Sequence, residues 1–153
     1  ICVEKANSAN TFNDRFIKAI TGQMPTQLPL PMPWVTANDC AYVCLAALEK
    51  GEAGRKYIAH GPADATGTVA QIVNRACEIA GTPNRVGEYS KDELGSPELI
   101  EIFGPTIPLL AQRSYPVPFS DCTRTQQELG YRPTPLDQGL TETINWMREV
   151  RAI

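Results

Sequence analysis

The side chains able to do acid–base or nucleophilic chemistry are few and scattered. His60 is the only histidine in the chain. As a general base it would need an orienting partner, and none stands beside it in sequence; as a core residue it needs none. Cys40 and Cys44 lie one helical turn apart, yet a zinc site takes about four ligands and a single histidine does not complete the set. The five cysteines, Cys2, Cys40, Cys44, Cys77 and Cys122, are odd in number and unevenly spread. That usage belongs to a reducing compartment without a disulfide framework, and the free thiols read as small buried hydrophobes. No H-E-x-x-H, P-loop, C-x-x-C or Ser-His-Asp pattern occurs. The aspartates and glutamates read as solvated faces rather than a catalytic pair. Asp39 differs, because it stands at a helix start, where a carboxylate accepts backbone N–H bonds and meets the positive end of the helix dipole. We read it as a structural cap.

These residues must be held by a mostly helical frame. Residues 11–21 form a helix with Phe12, Phe16, Ala19 and Ile20 on one face; Asn10 or Thr11 caps it and Gly22 stops it. Prolines 29, 31 and 33 then enforce a stiff extended connector. After a short extended piece at 34–37, a helix capped by Asn38 or Asp39 is predicted to turn Cys40, Val43, Cys44, Ala47 and Leu48 inward. Residues 56–60 have strand character. A third helix, 68–80, places Val69, Ile72, Val73, Ala76 and Ala80 inward, with Gly81 as its C-terminal cap. A strand at 86–89 and short proline-led helices at 97–103 and 105–113 follow. Asp121 caps a helix ending at Gly130. The sequence from Thr134 to Asp137 is a near capping box opening a last helix with Leu136, Leu140, Ile144 and Met147 on one face. The fold class is therefore α+β, mainly helical with a few short strands, and residues 1–153 form a single domain.

Composition narrows the function. Hydrophobic residues make up 42% and charged residues 20% of the chain, as in ordinary globular domains. The net charge of −3 with interspersed signs leaves no basic footprint for nucleic acid. No apolar run approaches the roughly 18 residues of a membrane span, and the opening ICVEKANSAN is not a signal peptide. A cytoplasmic location is expected. Because the chain opens at Ile1 rather than methionine, an upstream portion is expected as well.

Three segments carry a family resemblance. WVTANDCAYVCLAALEKG runs from Trp34 to Gly51, YIAHG from Tyr57 to Gly61, and ELGYRP from Glu128 to Pro133. In that order they resemble the C-terminal, substrate-side part of extended short-chain dehydrogenase/reductases, the NAD(P)-dependent epimerase/dehydratase family, most closely its dihydroflavonol-reductase-like branch. Asp39 matches the aspartate of the family's V-x-V-x-D-V-A pattern, and His60 stands where glycine is frequent. The resemblance implies the C-terminal part of a Rossmann-type α/β enzyme without its cofactor-binding half. The family's G-x-x-G-x-x-G loop is absent, and no tyrosine here has lysine four residues on. No catalytic, cofactor-binding or metal residue is therefore assigned. Phe12, Asn13, Phe16 and Trp34 are the substrate-binding candidates, with a core role as their alternative.

The parent implied would use NAD or NADP on a carbonyl or alcohol group, with the missing Rossmann domain as partner. Met32 stands where the family's nucleotide-sugar enzymes carry an arginine, so the resemblance implies a smaller, partly apolar substrate. The competing reading is a cofactor-free interaction or scaffold module. An unpaired strand at 57–60 would favour homodimers.

Overall fold

Helix α3 (Val69–Ala80) is the element on which the others converge. Its residues Val69, Ala70, Ile72, Val73, Ala76 and Cys77 are all buried, more than one face of a helix, because α3 is packed from two sides. Helix α1 (Phe12–Ile20) lies against one side and the C-terminal α6 (Leu136–Glu149) against the other. The computed structural model describes residues 12–62, 67–106, 109 and 121–153, and of Phe12 only the backbone. The expected caps of α1 at Asn10 or Thr11, and most of the helix expected at 105–113, lie outside these residues. Between α1 and α3 come β1 (Thr26–Gln27), β2 (Pro31–Met32), α2 (Ala37–Lys50) and β3 (Gly67–Thr68). After α3 come β4 (Gly87–Glu88), α4 (Pro97–Phe103) and α5 (Thr123–Leu129).

The main core joins Phe16, Ala19 and Met24 to the α3 face, with Trp34, Val86, Leu140, Ile144 and Met147. The last-helix face was legible: Leu140, Ile144 and Met147 are buried, and Leu136 packs at the edge. Termini follow the chemistry of their residues. Thr68 and Gln71 make a reciprocal capping box at the start of α3, and Gly81 ends it at φ 76°, a conformation glycine adopts without a Cβ penalty. Ser96 caps α4, with Pro97 at its first turn.

The strands are two residues each. β1 pairs parallel with β4, and β2 pairs antiparallel with β3 in the register Pro31 to Thr68 and Met32 to Gly67. The proline connector is thus tied at two points. Side chains supply pairing that the short strands lack. Asn74 donates from Nδ2 to the Val86 carbonyl (2.9 Å) and accepts the Val86 N–H on Oδ1 (2.7 Å). The Thr68 hydroxyl donates to Glu88, linking the two small sheets.

Three expectations are corrected. The inward face of α2 is Asp39, Val43 and Ala46, not the set containing Cys44 and Leu48; Cys44 is exposed and Leu48 is 85% exposed. The sequence is apolar on both sides of this helix, so periodicity alone does not say which side is inward. Residues 56–60 form no strand. A strand exists only through its partner, and here the Ile58 N–H goes to the Thr125 hydroxyl (2.9 Å) instead of to another backbone. The start of α6 has no side-chain cap bond, because Thr134 is engaged elsewhere.

The packing separates two substitutions that the hydrophobic pattern alone treats alike. Ile144→Ala empties a fully enclosed site and is expected to lower the unfolding free energy by roughly 2–5 kcal/mol. Leu48→Ala is expected to change it by less than about 0.5 kcal/mol. Urea denaturation of the two variants beside the parent chain checks both numbers, and a large loss at Leu48 would restore the face expected from sequence.

Candidate functional site

Asp39 occupies the third residue of α2. The cap bond at this helix start is made by Thr36, whose Oγ1 accepts the Asp39 N–H at 3.1 Å. This corrects the cap role expected of Asp39. Its own carboxylate, buried, reaches the turn before α6: Oδ2 accepts the Thr134 N–H at 3.0 Å and Oδ1 the Thr134 hydroxyl at 2.8 Å. Two donors on one residue satisfy a charge that burial would otherwise penalise. The T-x-x-D spacing of Thr36 and Asp39 was a readable cap signal; the partnership with Thr134 had no local signal.

Tyr131 lies beside this carboxylate, 2% exposed. Its hydroxyl donates to the His60 carbonyl at 2.8 Å. Burial first, and the nearby Asp39 carboxylate second, push its phenol well above the usual tyrosine range. The stretch that ends at Tyr131 therefore works as architecture: Leu129 and Tyr131 fill a second small core with Val43 and Ala46, and Gly130 takes φ 71° to turn between them. Tyr57 closes the same unit, donating its hydroxyl to Glu128 Oε2 at 2.8 Å.

His60 is buried. Its Nδ1 lies 2.6 Å from the Gly61 carbonyl. A carbonyl only accepts, so Nδ1 carries a proton and donates this bond. Among the described residues Nε2 has no partner, and the same holds for Asn13 Oδ1 and Trp34 Nε1. Such orphaned buried atoms are uncommon in folded chains.

Of the four substrate-binding candidates, the side chain of Phe12 is outside the description. Asn13 is 3% exposed, Phe16 1% and Trp34 7%. Phe16 and Trp34 share the main core, so neither offers a free ring face. Trp34 is held at its backbone by the Gly61 N–H (2.8 Å). Its ring edge approaches Gly139 of α6, where an added Cβ would stand 3.8 Å from Trp34 and 2.8 Å from Thr36. Met32 is half-buried in β2, at the edge of that core. Cys40, half-buried on α2, has its thiol pushed up by burial and then by the neighbouring Cys44, which opposes nucleophilic use. No three His, Cys, Asp or Glu side chains among the described residues gather where a metal could be held. No helix among them is long and apolar enough to cross a membrane.

No protein-family model matches the chain, and no curated protein does. Solved structures do. The crystal structure of gox2253 superposes with a TM-score of 0.74 at 25% identity, over 94% of this chain and 45% of that one. The enzyme WbmF of Bordetella bronchiseptica, solved with NAD+, gives 0.64 at 18% identity over 93% of this chain and 37% of its own. RMD from Pseudomonas aeruginosa, complexed with NADPH, gives 0.57 at 12% identity over 90% and 41%. The chain thus shares its fold with parts of these proteins, two of them solved with NAD+ or NADPH, and spans less than half the length of each.

The Tyr131 environment sets a pH dependence. The unfolded chain releases a tyrosine proton near about pH 10, whereas the folded chain holds it, so raising the pH further favours unfolding. Stability is expected to be unaffected by this group below that range and to fall above it. Tyr131→Phe should flatten the alkaline limb while lowering stability at neutral pH by about 1–3 kcal/mol, since the His60 carbonyl loses its donor. Thermal melts from pH 7 to 11 check both effects.

Proposed function

We propose that this chain is the substrate-binding, capping part of an NAD(P)-dependent oxidoreductase or epimerase of the extended short-chain dehydrogenase/reductase type. The observation that carries this reading is the asymmetric fold match: nearly all of this chain against under half of proteins solved with NAD+ or NADPH. The sequence agrees from the other side, since the phosphate-binding glycine loop and the tyrosine–lysine pair are absent. The cofactor and the proton donor then belong to a cofactor-binding domain that partners this one.

In that enzyme this chain orients the substrate. We assign Asn13 Oδ1 to accept from a substrate hydroxyl and the Trp34 indole N–H to donate to a carbonyl or hydroxyl oxygen, because both are buried and unpaired among the described residues. Phe16 and the Trp34 ring, enclosed in the main core, back these two atoms rather than presenting a free face. Met32 stands where a nucleotide-sugar enzyme would place an arginine. A diphosphate held without it forfeits a charge-assisted bond of roughly 1.5–3 kcal/mol. The substrate is accordingly small, partly apolar and weakly charged.

Asn13→Leu separates a binding role from a packing role. It removes an unpaired buried acceptor at similar volume, so the melting temperature of this chain should hold or rise. In the longer, cofactor-binding polypeptide the same change should raise KM for the substrate at least about tenfold, the worth of one hydrogen bond in a buried site. An unchanged KM would return Asn13 to the core.

The class of reaction has its own test. Calorimetric titration of the 153-residue chain with NAD+ or NADPH is expected to give no heat of binding, and the longer polypeptide is expected to bind and to turn over a hydrophobic ketone faster than a UDP-sugar. Micromolar binding by the chain alone would overturn the assignment of the cofactor to another domain. Efficient use of the UDP-sugar, unaffected by Met32→Ala, would overturn the substrate class.

A further inference from the structure

His60 is the one histidine of the chain, and the substrate contacts assigned above leave it unused. It is 5% exposed. The backbone that carries it is held on both sides. Its carbonyl accepts the Tyr131 hydroxyl at 2.8 Å, and the next N–H, that of Gly61, goes to the Trp34 carbonyl at 2.8 Å. His60 therefore stands beside Trp34. The ring is fixed as well, since Nδ1 donates to the Gly61 carbonyl at 2.6 Å. Nε2, at the far end of the ring, is enclosed and has no partner among the described residues. With its proton on Nδ1 the neutral ring offers a lone pair there. A leucine or phenylalanine would fill the same space without the desolvation cost of an unpaired nitrogen, so packing does not account for an imidazole.

From this we infer that His60 is a specificity-determining residue of the substrate site, its Nε2 accepting from a hydroxyl of the substrate, which makes that substrate a hydroxy ketone, a hydroxy aldehyde or the corresponding diol. The inference rests on the reading above. The chemistry of the unpaired set favours this class. Trp34 Nε1 can only donate, Asn13 Oδ1 can only accept, and His60 Nε2 accepts. A simple ketone carries an acceptor and no donor, so it satisfies Trp34 and leaves the other two unmet. A hydroxyl next to the carbonyl supplies the missing donor. A site built on hydrogen bonds to a hydroxyl discriminates strongly against the analogue that lacks it, because a buried acceptor is then left unpaired.

The longer, cofactor-binding polypeptide is assayed with NADPH and two ketones, acetoin and butanone, which differ by that hydroxyl alone. Acetoin is expected to be preferred. His60→Asn keeps a donor near the position of Nδ1 and removes the atom at Nε2. It is expected to raise KM for acetoin at least about tenfold while leaving KM for butanone and both kcat values unchanged. His60→Gln, whose amide reaches the Nε2 position, should recover most of the loss. A second measurement needs no variant, because a single histidine gives an unambiguous signal. In proton–nitrogen correlation spectra of the unsubstituted polypeptide with NADP+ bound, acetoin should shift the Nε2 resonance and butanone should not. Equal losses on both ketones, which mark a structural residue, overturn the inference. So does no loss at all, and so does an Nε2 resonance that acetoin leaves in place. Titration of the longer polypeptide with NADPH keeps the two ideas apart. Cofactor binding together with any of those results removes His60 from the site and leaves the functional reading standing; absence of both cofactor binding and turnover removes the reading, and this inference with it.

Discussion

The buried Asp39 carboxylate is the constraint on which the second half of the structure depends. Its two oxygens hold both donors of Thr134, 95 residues away. Closing so long a loop is entropically costly, and charge-assisted bonds in a dry setting are among the few local contacts strong enough to fix its ends. Once Thr134 is fixed, Tyr131 is drawn beneath residue 60 and α5 lies along α2. Thr134 spent in this way is no longer free to cap α6, whose N-cap position is held by Pro135 with no side-chain bond. Proline makes that tolerable, since its preset φ suits a helix start and it has no N–H to leave unpaired.

Around this clasp the chain divides into two ways of holding together. One part is helix against helix: α3 between α1 and α6, with large aliphatic and aromatic side chains fully enclosed. Its surface ion pair, Arg75 forked onto Asp137 at 2.9 and 2.7 Å, is exposed and contributes little by comparison. The other part is α2, the 55–62 segment and α5, where a small apolar cluster is framed by hydroxyl-to-backbone bonds. Tyr42 donates to the Leu129 carbonyl, Tyr131 to that of His60, and Thr125 accepts from Ile58. Here side-chain polar groups do the work that strand ladders usually do.

What was legible in the sequence follows the same division. The face of α6 was readable because a single apolar side at helical period has one solution; on α3 the expected Val69, Ile72, Val73 and Ala76 are buried, but the second packed side adds Ala70 and Cys77, and Ala80 is half-buried. Glycines 81 and 130 were readable as stops because few other residues adopt φ near +70°. The face of α2 was not, since two apolar sides give two solutions and only the partner decides. The segment 56–60 kept its alternation, with Tyr57 and Ala59 packed inward and Ile58 at the surface. No strand followed, for alternation specifies an extended chain and not its neighbour. Among the candidate residues, Asn13, Phe16 and Trp34 were readable as inward-facing. That Asn13 and Trp34 would each bury a polar atom without a partner among the described residues is a property of tertiary packing, invisible in composition or spacing.

The unspent groups of this fold are of two different kinds, and they ask for different things. Asn13 Oδ1, Trp34 Nε1 and His60 Nε2 are enclosed, so no added surface can satisfy them. Among the described residues each of them lacks a partner, and an atom left unpaired costs on the order of 1–3 kcal/mol until it is met. The exposed Cys44, Leu45 and Leu48 of α2 are the opposite case: they are apolar and already in water, and a small solute gains little there because the favourable term scales with the area removed from solvent. A substrate-side domain is expected to carry both, with polar atoms held inside for the substrate and an apolar face outside for the part that brings the cofactor. A self-sufficient scaffold module has no use for the first and is harmed by the second, since exposed leucines invite association. That combination, rather than any single residue, is what favours the enzymatic reading over the scaffold.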